Sequence, residues 1–153
     1  MKILVINGPN LNLLGSREPS VYGTMTLDEI NAALIEYLDK NGAGARFFQS
    51  NHEGAIIDAI HEARVWASGI IINPGALAHS SFALHDALKA VEIPAVEVHI
   101  SNINAREEWR SRSVIAPATI GQVSGFGWFG YILAAKGLLH YVKERAHVKG
   151  HAR

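Results

Sequence analysis

The sequence predicts an α/β domain built on one parallel sheet with helices on both faces. Three observations carry that prediction. Short β-branched runs alternate with longer stretches of helical period about five times along the chain, which is the pattern of repeated βαβ units. The runs Ile3-Leu4-Val5-Ile6 and Ile70-Ile71-Ile72 are unbroken rather than alternating, as strands buried on both faces are. With 153 residues, 48% of them hydrophobic and 18% charged, the chain has the size of one domain with a full core and no room for a second. The domain is expected over residues 1–146, with a frayed tail over 147–153.

The first strand is read from Lys2 to Asn7 and ends at Gly8-Pro9. A helix is expected to open at Thr26, because Thr26-Leu27-Asp28-Glu29 has the capping-box spacing and Leu27, Ile30, Leu34 and Leu38 form one apolar stripe. Asn41-Gly42 stops it. Arg46 to Gln49 is short and partly polar, as an edge strand would be. Glu53 to Ala67 follows as a helix with Ile56, Ile60 and Ala63 on one face. Ile70 to Asn73 is the next buried strand, and the helix after it carries Leu84, Leu88 and Val91 up to the break at Pro94. Ala95 to Ile100 reads as a fourth strand with Glu97 and His99 inside an apolar frame. Thr119 to Ser124 is a weak last edge strand, and Trp128, Ile132, Ala135, Leu139 and Val142 give the closing helix its expected buried stripe.

These elements fit a flavodoxin-like, doubly wound, three-layer α/β/α domain with strand order 2-1-3-4-5. Ligands in such sheets bind beyond the carboxyl ends of the strands where the order reverses, here between strands one and three. The segments leaving strands one, three and four, Asn7 to Met25, Asn73 to Ser81 and His99 to Arg112, hold most of the unexplained polar residues. The first is about eighteen residues without helical period, against ~2 to 6 for an ordinary βα connection, a length usual in functional lids or in disordered segments.

Composition excludes several classes. Fourteen basic residues balance fourteen acidic ones, so no bulk field draws the chain to nucleic acid or to a membrane. The absence of cysteine removes disulfides, thiolate zinc sites, iron-sulfur clusters and cysteine nucleophiles. The N-terminal apolar run stops at Asn7-Gly8-Pro9, too brief for a signal peptide or membrane span, and a cytoplasmic protein is expected. Gly125 to Gly130 matches GxGxxG, but it introduces the last helix rather than the first βαβ unit, so its glycines are read as packing devices. His79 and His85 are six apart, not a one-face ligand spacing; His52, His61, His85 and His140 are read as structural, with His147 and His151 in the tail. No Gly-x-Ser-x-Gly elbow exists, and strand one ends in Asn7 rather than in an acidic pocket.

The long loop places Asn10, Arg17 and Tyr22 between glycines that let it bend. A guanidinium near a phenol favours the phenolate. An ordinary tyrosine titrates near ~10, so a tyrosine serving as base at neutral pH needs about 4 kcal/mol of help. Glu97-Val98-His99 has the two-residue period of a strand, so both side chains point to one face, where a carboxylate can fix the tautomer of an imidazole; a satisfied buried pair is the bland alternative. Asn73-Pro74-Gly75 leading to His79-Ser80-Ser81 reads as a strand exit into a helix N-terminus, suited to an anion or simply capped by serine. Arg106 and Arg110, with Glu107 and Glu108 between them, would on their own be a solvated turn.

The blocks "INGPNLNLLGSREPSVYG", "INPGALAHSS", "EVHISNINAREEWR" and "GFGWFGYILA" together resemble those of type II 3-dehydroquinate dehydratases, in the family's order, from Lys2 to Tyr141. The departure lies at Leu77 and Ala78, where the family more often has an aromatic residue and a threonine. The resemblance implies a hydro-lyase of the shikimate route or quinate breakdown that converts 3-dehydroquinate to 3-dehydroshikimate by anti elimination through an enolate, without metal, nucleotide or Schiff base. It assigns Tyr22 as tyrosinate base, Arg17 as its electrostatic partner, Asn10 as enolate stabiliser, His99 as general acid and Glu97 as its orienting carboxylate. Asn73, Ile100 and Ser101 match positions that hold the substrate carboxylate, His79 and Arg110 those that hold ring hydroxyls, and Arg106 one that positions the lid loop. It also implies a homo-oligomer, a dodecamer arranged as a tetramer of trimers, in which Asp86 reaches a neighbouring subunit's site. Two other readings compete: a non-catalytic binding module that captures an anion near His79, and an FMN or nucleotide carrier, which Gly8-Pro9 disfavours by placing a proline where donor N–H groups would be wanted.

Overall fold

The computed structural model describes residues 1–151. Five parallel strands, β1 (Lys2–Asn7), β2 (Gly44–Gln49), β3 (Gly69–Asn73), β4 (Ala95–His99) and β5 (Gly121–Ser124), lie in the order β2-β1-β3-β4-β5. This is the flavodoxin-like order the sequence predicts, with β2 and β5 as edges. Alternating residues of the buried strands serve opposite faces. Ile3 and Val5 of β1 pack with α2 (Leu27–Lys40) and α5 (Phe129–His151), whereas Leu4 and Ile6 pack with α3 (Glu53–Glu62) and α4 (Phe82–Val91). The result is three layers around a sheet whose β3 and β4 are wholly buried.

Local signals explain the helix boundaries. Thr26 accepts the Glu29 N–H while the Glu29 carboxylate accepts the Thr26 N–H, the reciprocal box that its spacing predicts. Ser81 caps α4 through the Leu84 N–H. The helix expected to reach Ala67 ends as α at Glu62 and continues as a 3-10 turn over Ala63–Val65, with Ile56, Ile60 and Ala63 buried.

The closing helix departs from the expected stripe. Ala135 and Leu139 are buried as anticipated, but Trp128 precedes the helix and is exposed, Ile132 and Val142 are only partly buried, and the core face is completed by Tyr131, Ala134 and Leu138. The physical reason is close approach to the sheet: a Cβ at Gly69 would lie 2.8 Å from Leu138 Cδ2, so the helix settles where small residues let it down onto β3. It runs as far as His151, through the residues expected to fray, and residues 152 and 153 lie outside the described part.

The exits of β1 and β3, adjacent in the sheet with Asn7 opposite Asn73, touch backbone to backbone. The Gly8 N–H donates to the Asn73 carbonyl at 2.8 Å, and a Cβ on Gly8 would sit 2.5 Å from the Pro74 oxygen. Gly75, at φ 58°, packs against the Pro9 carbonyl in the same way. Beneath them the Tyr131 hydroxyl donates to Asn7 Oδ1 at 2.6 Å and accepts from Asn73 Nδ2 at 2.9 Å.

Candidate active site

Above that glycine floor a small pocket is lined by Asn10, Arg17, Tyr22, His79, His99, Ile100, Ser101, Arg106 and Arg110, with Pro9, Gly75 and Ala76 at its base. Nine of the twelve expected site residues therefore converge from three strand exits. The other three stand apart. Glu97 lies behind His99 and is fully buried, Asn73 lies in the floor at 3% exposure, and Asp86 lines a separate hollow with Phe82, His85, Arg112 and Ser113.

The long loop enters the pocket through a 3-10 turn at Leu11–Leu13 and a single helical turn, α1 (Pro19–Tyr22), closed by Gly23 at φ 79°. Asn10 is itself left-handed, at φ 69°, and its N–H donates to Asn51 Oδ1. The turn delivers Tyr22 between two guanidinium groups. Arg17 lies over the ring at 4.8 Å from its centroid, and Arg106 Nη1 donates to the Tyr22 hydroxyl at 2.8 Å and to Ser101 Oγ at 3.2 Å. The cation bonded to the phenol oxygen is Arg106, and Arg17, expected as the electrostatic partner, lies over the ring. Both guanidinium carbons lie near the ring, that of Arg17 4.8 Å and that of Arg106 5.2 Å from its centroid.

Two imidazoles line the same pocket as the tyrosine. His99 sits at the end of β4 with Nε2 2.5 Å from Glu97 Oε1, and Nδ1 is the nitrogen left for a ligand. His79 Nδ1 lies 2.9 Å from the Arg112 carbonyl, which can only accept, so that nitrogen carries hydrogen and Nε2 is the acceptor. The rings are stacked with centroids 6.1 Å apart. Burial holds His79 below the usual histidine range, opposed by the bond to the Arg112 carbonyl and reinforced by His99 and Arg110 nearby. Arg110 Nε donates to Glu107 at 2.6 Å and its guanidinium lies over Trp109. The Glu107 carboxyl is held below its ordinary range, first by a hydrogen bond from its own N–H and then by Arg110.

The expected departures do not reach this chemistry. Leu77 packs against the α3/α4 core cluster and Ala78 is fully buried; neither lines the pocket. Of the GxGxxG glycines only Gly125 is closely packed, since its Cβ would meet Asn102 at 3.0 Å; Gly127, at φ 60°, has open space where a Cβ would lie, and the N–H groups of Gly125 and Gly127 donate to the His99 and Ile100 carbonyls.

The pocket holds about 40 Å³ of free space, far below the ~300 to 1,000 Å³ of small-molecule sites. On the far side of the Tyr22–Arg106 contact lies a hollow of about 530 Å³ bounded by Thr24, Met25, Asn102 and Trp128. Tyr22 and Arg106 line both spaces.

Sequence reasoning missed three polar residues. Ser113 donates to both oxygens of Glu97, and nothing in "RSRSV" distinguishes it. Asn7 and Tyr131 join Asn73 in the floor. The paired endings Ile6-Asn7-Gly8 and Ile72-Asn73-Pro74 were a usable signal, since two amides at the same level of adjacent buried strands require partners.

No group of three or more His, Asp or Glu residues is arranged to hold a metal ion among the described residues. No helix among them is long and apolar enough to cross a membrane.

A family model described as dehydroquinase class II matches residues 1–139. A protein of Caldicellulosiruptor bescii named 3-dehydroquinate dehydratase is 56% identical over 144 residues, covering 94% of this chain and 97% of that one. Among solved structures, the type II dehydroquinase of Butyrivibrio crossotus superposes with a TM-score of 0.88 at 51% identity, covering 90% of this chain and 97% of that one. That of Propionibacterium acnes gives 0.86 at 42%, covering 93% and 96%.

Proposed function

The chain belongs to the class II dehydroquinase family, and from that membership we propose that it dehydrates 3-dehydroquinate to 3-dehydroshikimate with Tyr22 as base and His99 as acid. The supporting observation is the convergence of a phenol flanked by two guanidinium groups and a carboxylate-backed imidazole on one pocket.

The Tyr22 phenolate, flanked by Arg106 and Arg17, removes a proton from C2, alpha to the ketone. The C–H electrons move to the carbonyl oxygen as an enolate, which Asn10 stabilises, in this reading through a water. Collapse of the enolate forms the C1–C2 double bond and breaks the C1–O bond. The departing oxygen takes a proton from His99 and leaves as water. His99 Nδ1 is the donor, because Nε2 is held by Glu97. Tyr22 then returns its proton to solvent and His99 regains one.

For the substrate carboxylate the reading assigns Ile100 and Ser101, partly through backbone N–H groups, together with Asn73. One hydrogen of Asn73 Nδ2 is committed to Tyr131, leaving the second as its donor. Ring hydroxyls fall to His79 Nε2, an acceptor, and to Arg110, a donor. Arg106 has a double part, holding Tyr22 and, through it, the loop. Because the closed pocket is too small for the substrate, loading requires the loop to carry Tyr22 away from Arg106. The same reading places the enzyme in the cytoplasm, in the shikimate route or in quinate breakdown. It also makes it a homo-oligomer, a dodecamer of four trimers; Asp86 lies outside its own chain's pocket, consistent with service to a neighbour.

The deciding experiment is an ultraviolet assay of the assembled, chelator-treated protein with 3-dehydroquinate, since the product has a conjugated enone carboxylate that the substrate lacks. Growth of that absorbance is expected at an undiminished rate after chelation; a flat trace from folded protein would overturn the reading.

A further inference from the structure

We propose that the Ser113 hydroxyl is a positioning group for the His99 proton donor, acting through the Glu97 carboxylate. The inference rests on the assignment of His99 as the acid and adds a residue to it.

Ser113 lies in the irregular segment between the 3-10 turns Glu108–Arg110 and Ala116–Ala118. Its hydroxyl hydrogen faces both oxygens of Glu97, at 2.8 Å from Oε1 and 2.9 Å from Oε2. Among the hydrogen bonds of the described residues, Ser113 is the group that reaches Oε2, while Oε1 is shared with His99 Nε2. Glu97 has no exposure to solvent, so water cannot replace a lost donor without rearrangement. A carboxylate held at both oxygens cannot swing about its terminal torsion, and the imidazole bonded to it is fixed with it.

The serine is in turn polarised. Its oxygen accepts the Ile115 N–H at 3.2 Å and the Ala116 N–H at 3.0 Å, which strengthens the O–H as a donor. A serine that merely shaped this turn would need only the acceptor half of that arrangement; donation to a buried carboxylate is the additional feature. The flanking residues are anchored as well. The Arg112 carbonyl bonds His79 Nδ1, the Val114 carbonyl lies 2.8 Å from His85 Nδ1, and the Val114 N–H donates to the Ala78 carbonyl at 2.8 Å. One short segment therefore sets both pocket histidines, His79 through a carbonyl and His99 through the Ser113–Glu97 relay.

The test compares Ser113→Ala, Ser113→Thr and His99→Asn in the assembled enzyme, measuring kcat and KM separately on 3-dehydroquinate and checking fold by circular dichroism. Ser113→Ala should lower kcat by ~10- to 100-fold, the effect of losing a hydrogen bond to a charged group. KM should stay within about threefold, because the groups that bind the substrate are untouched, and Ser113→Thr, which keeps the hydroxyl, should recover most of kcat. If Ser113→Ala does not fold, Ser113→Cys, similar in shape but a much weaker donor, takes its place with the same expectation. Wild-type kcat in the Ala or Cys variant, a loss confined to KM, or equal losses in the Ala and Thr variants would overturn the proposal. His99→Asn separates the two levels: if it too leaves kcat intact, the acid assignment itself has failed, whereas a large loss there beside a harmless Ser113→Ala removes only the role of Ser113.

Discussion

Replacing Tyr131 by phenylalanine removes one oxygen from the floor of the pocket, and its cost follows from the contacts of that oxygen. The ring is fully buried, its hydroxyl donates to Asn7 Oδ1 at 2.6 Å and it accepts from Asn73 Nδ2 at 2.9 Å. Both amides are themselves buried, at 1% and 3% exposure, so neither can turn to water. Each polar atom left without a partner costs ~1 to 3 kcal/mol, giving a loss of about 2 to 5 kcal/mol with partial relaxation. For a domain of this size ~1 kcal/mol moves Tm by about 2 to 4 °C, so a fall of ~4 to 20 °C is expected. Urea and thermal unfolding at one fixed protein concentration provide the measurement, the fixed concentration excluding mass-action effects of assembly. The variant should also differ at high pH. Burial pushes the Tyr131 phenol well above its ordinary range, opposed by the Asn73 donor. Above about pH 10 the unfolded chain therefore releases a proton that the folded chain keeps, and stability falls by up to ~1.4 kcal/mol per pH unit on account of this residue. That component is intact below pH ~10 and should vanish in Tyr131→Phe. A stability change under about 0.5 kcal/mol, the range of ordinary surface substitutions, together with an unaltered alkaline slope, would refute the reasoning.

Tyr22→Phe should reduce turnover by at least ~100-fold while leaving the circular dichroism spectrum unchanged, since general-base catalysis contributes on that scale or more; substantial remaining turnover would contradict its role. Gly8→Ala should cost several kcal/mol in urea unfolding, because its Cβ would meet the Pro74 oxygen at 2.5 Å and backbone cannot step aside as a side chain can. His79 is held below the usual range chiefly by burial, so as pH falls through ~6.5 the unfolded chain takes up a proton first and stability is lost; His79→Asn should flatten that part of the acid arm in pH-dependent unfolding.

What the sequence disclosed follows the range of the interactions concerned. The capping box at Thr26, the buried runs of β1 and β3 and the same-face pair Glu97 and His99 are set within a few residues, and each is present in the structure. Three polar segments at the strand exits were legible because the strand order itself says where exits converge. The bond from Arg106 to Tyr22 spans 84 positions and that from Tyr131 to Asn7 spans 124, separations at which no periodicity operates. Arg17, five positions from the tyrosine and expected beside it, lies over the ring, while the bond to the oxygen comes from the distant Arg106. The rotation of α5 was hidden for a related reason: Tyr131 and Trp128 are both plausible core residues three apart, and only the packing of Leu138 on Gly69 chooses between them.

The glycine floor divides the pocket by its tolerance of change. Where Gly8 meets Pro74 and Gly75 meets Pro9, peptide lies on peptide with no side chain to trim or repack. A library randomised at those four positions should return few functional clones. The exposed loop positions Leu13, Ser16 and Ser20 carry no comparable contact with the floor, and a library there should return many. Variation in this scaffold is therefore tolerated at the outer face of the loop and refused at the base, where a replaced glycine would drive backbone against backbone.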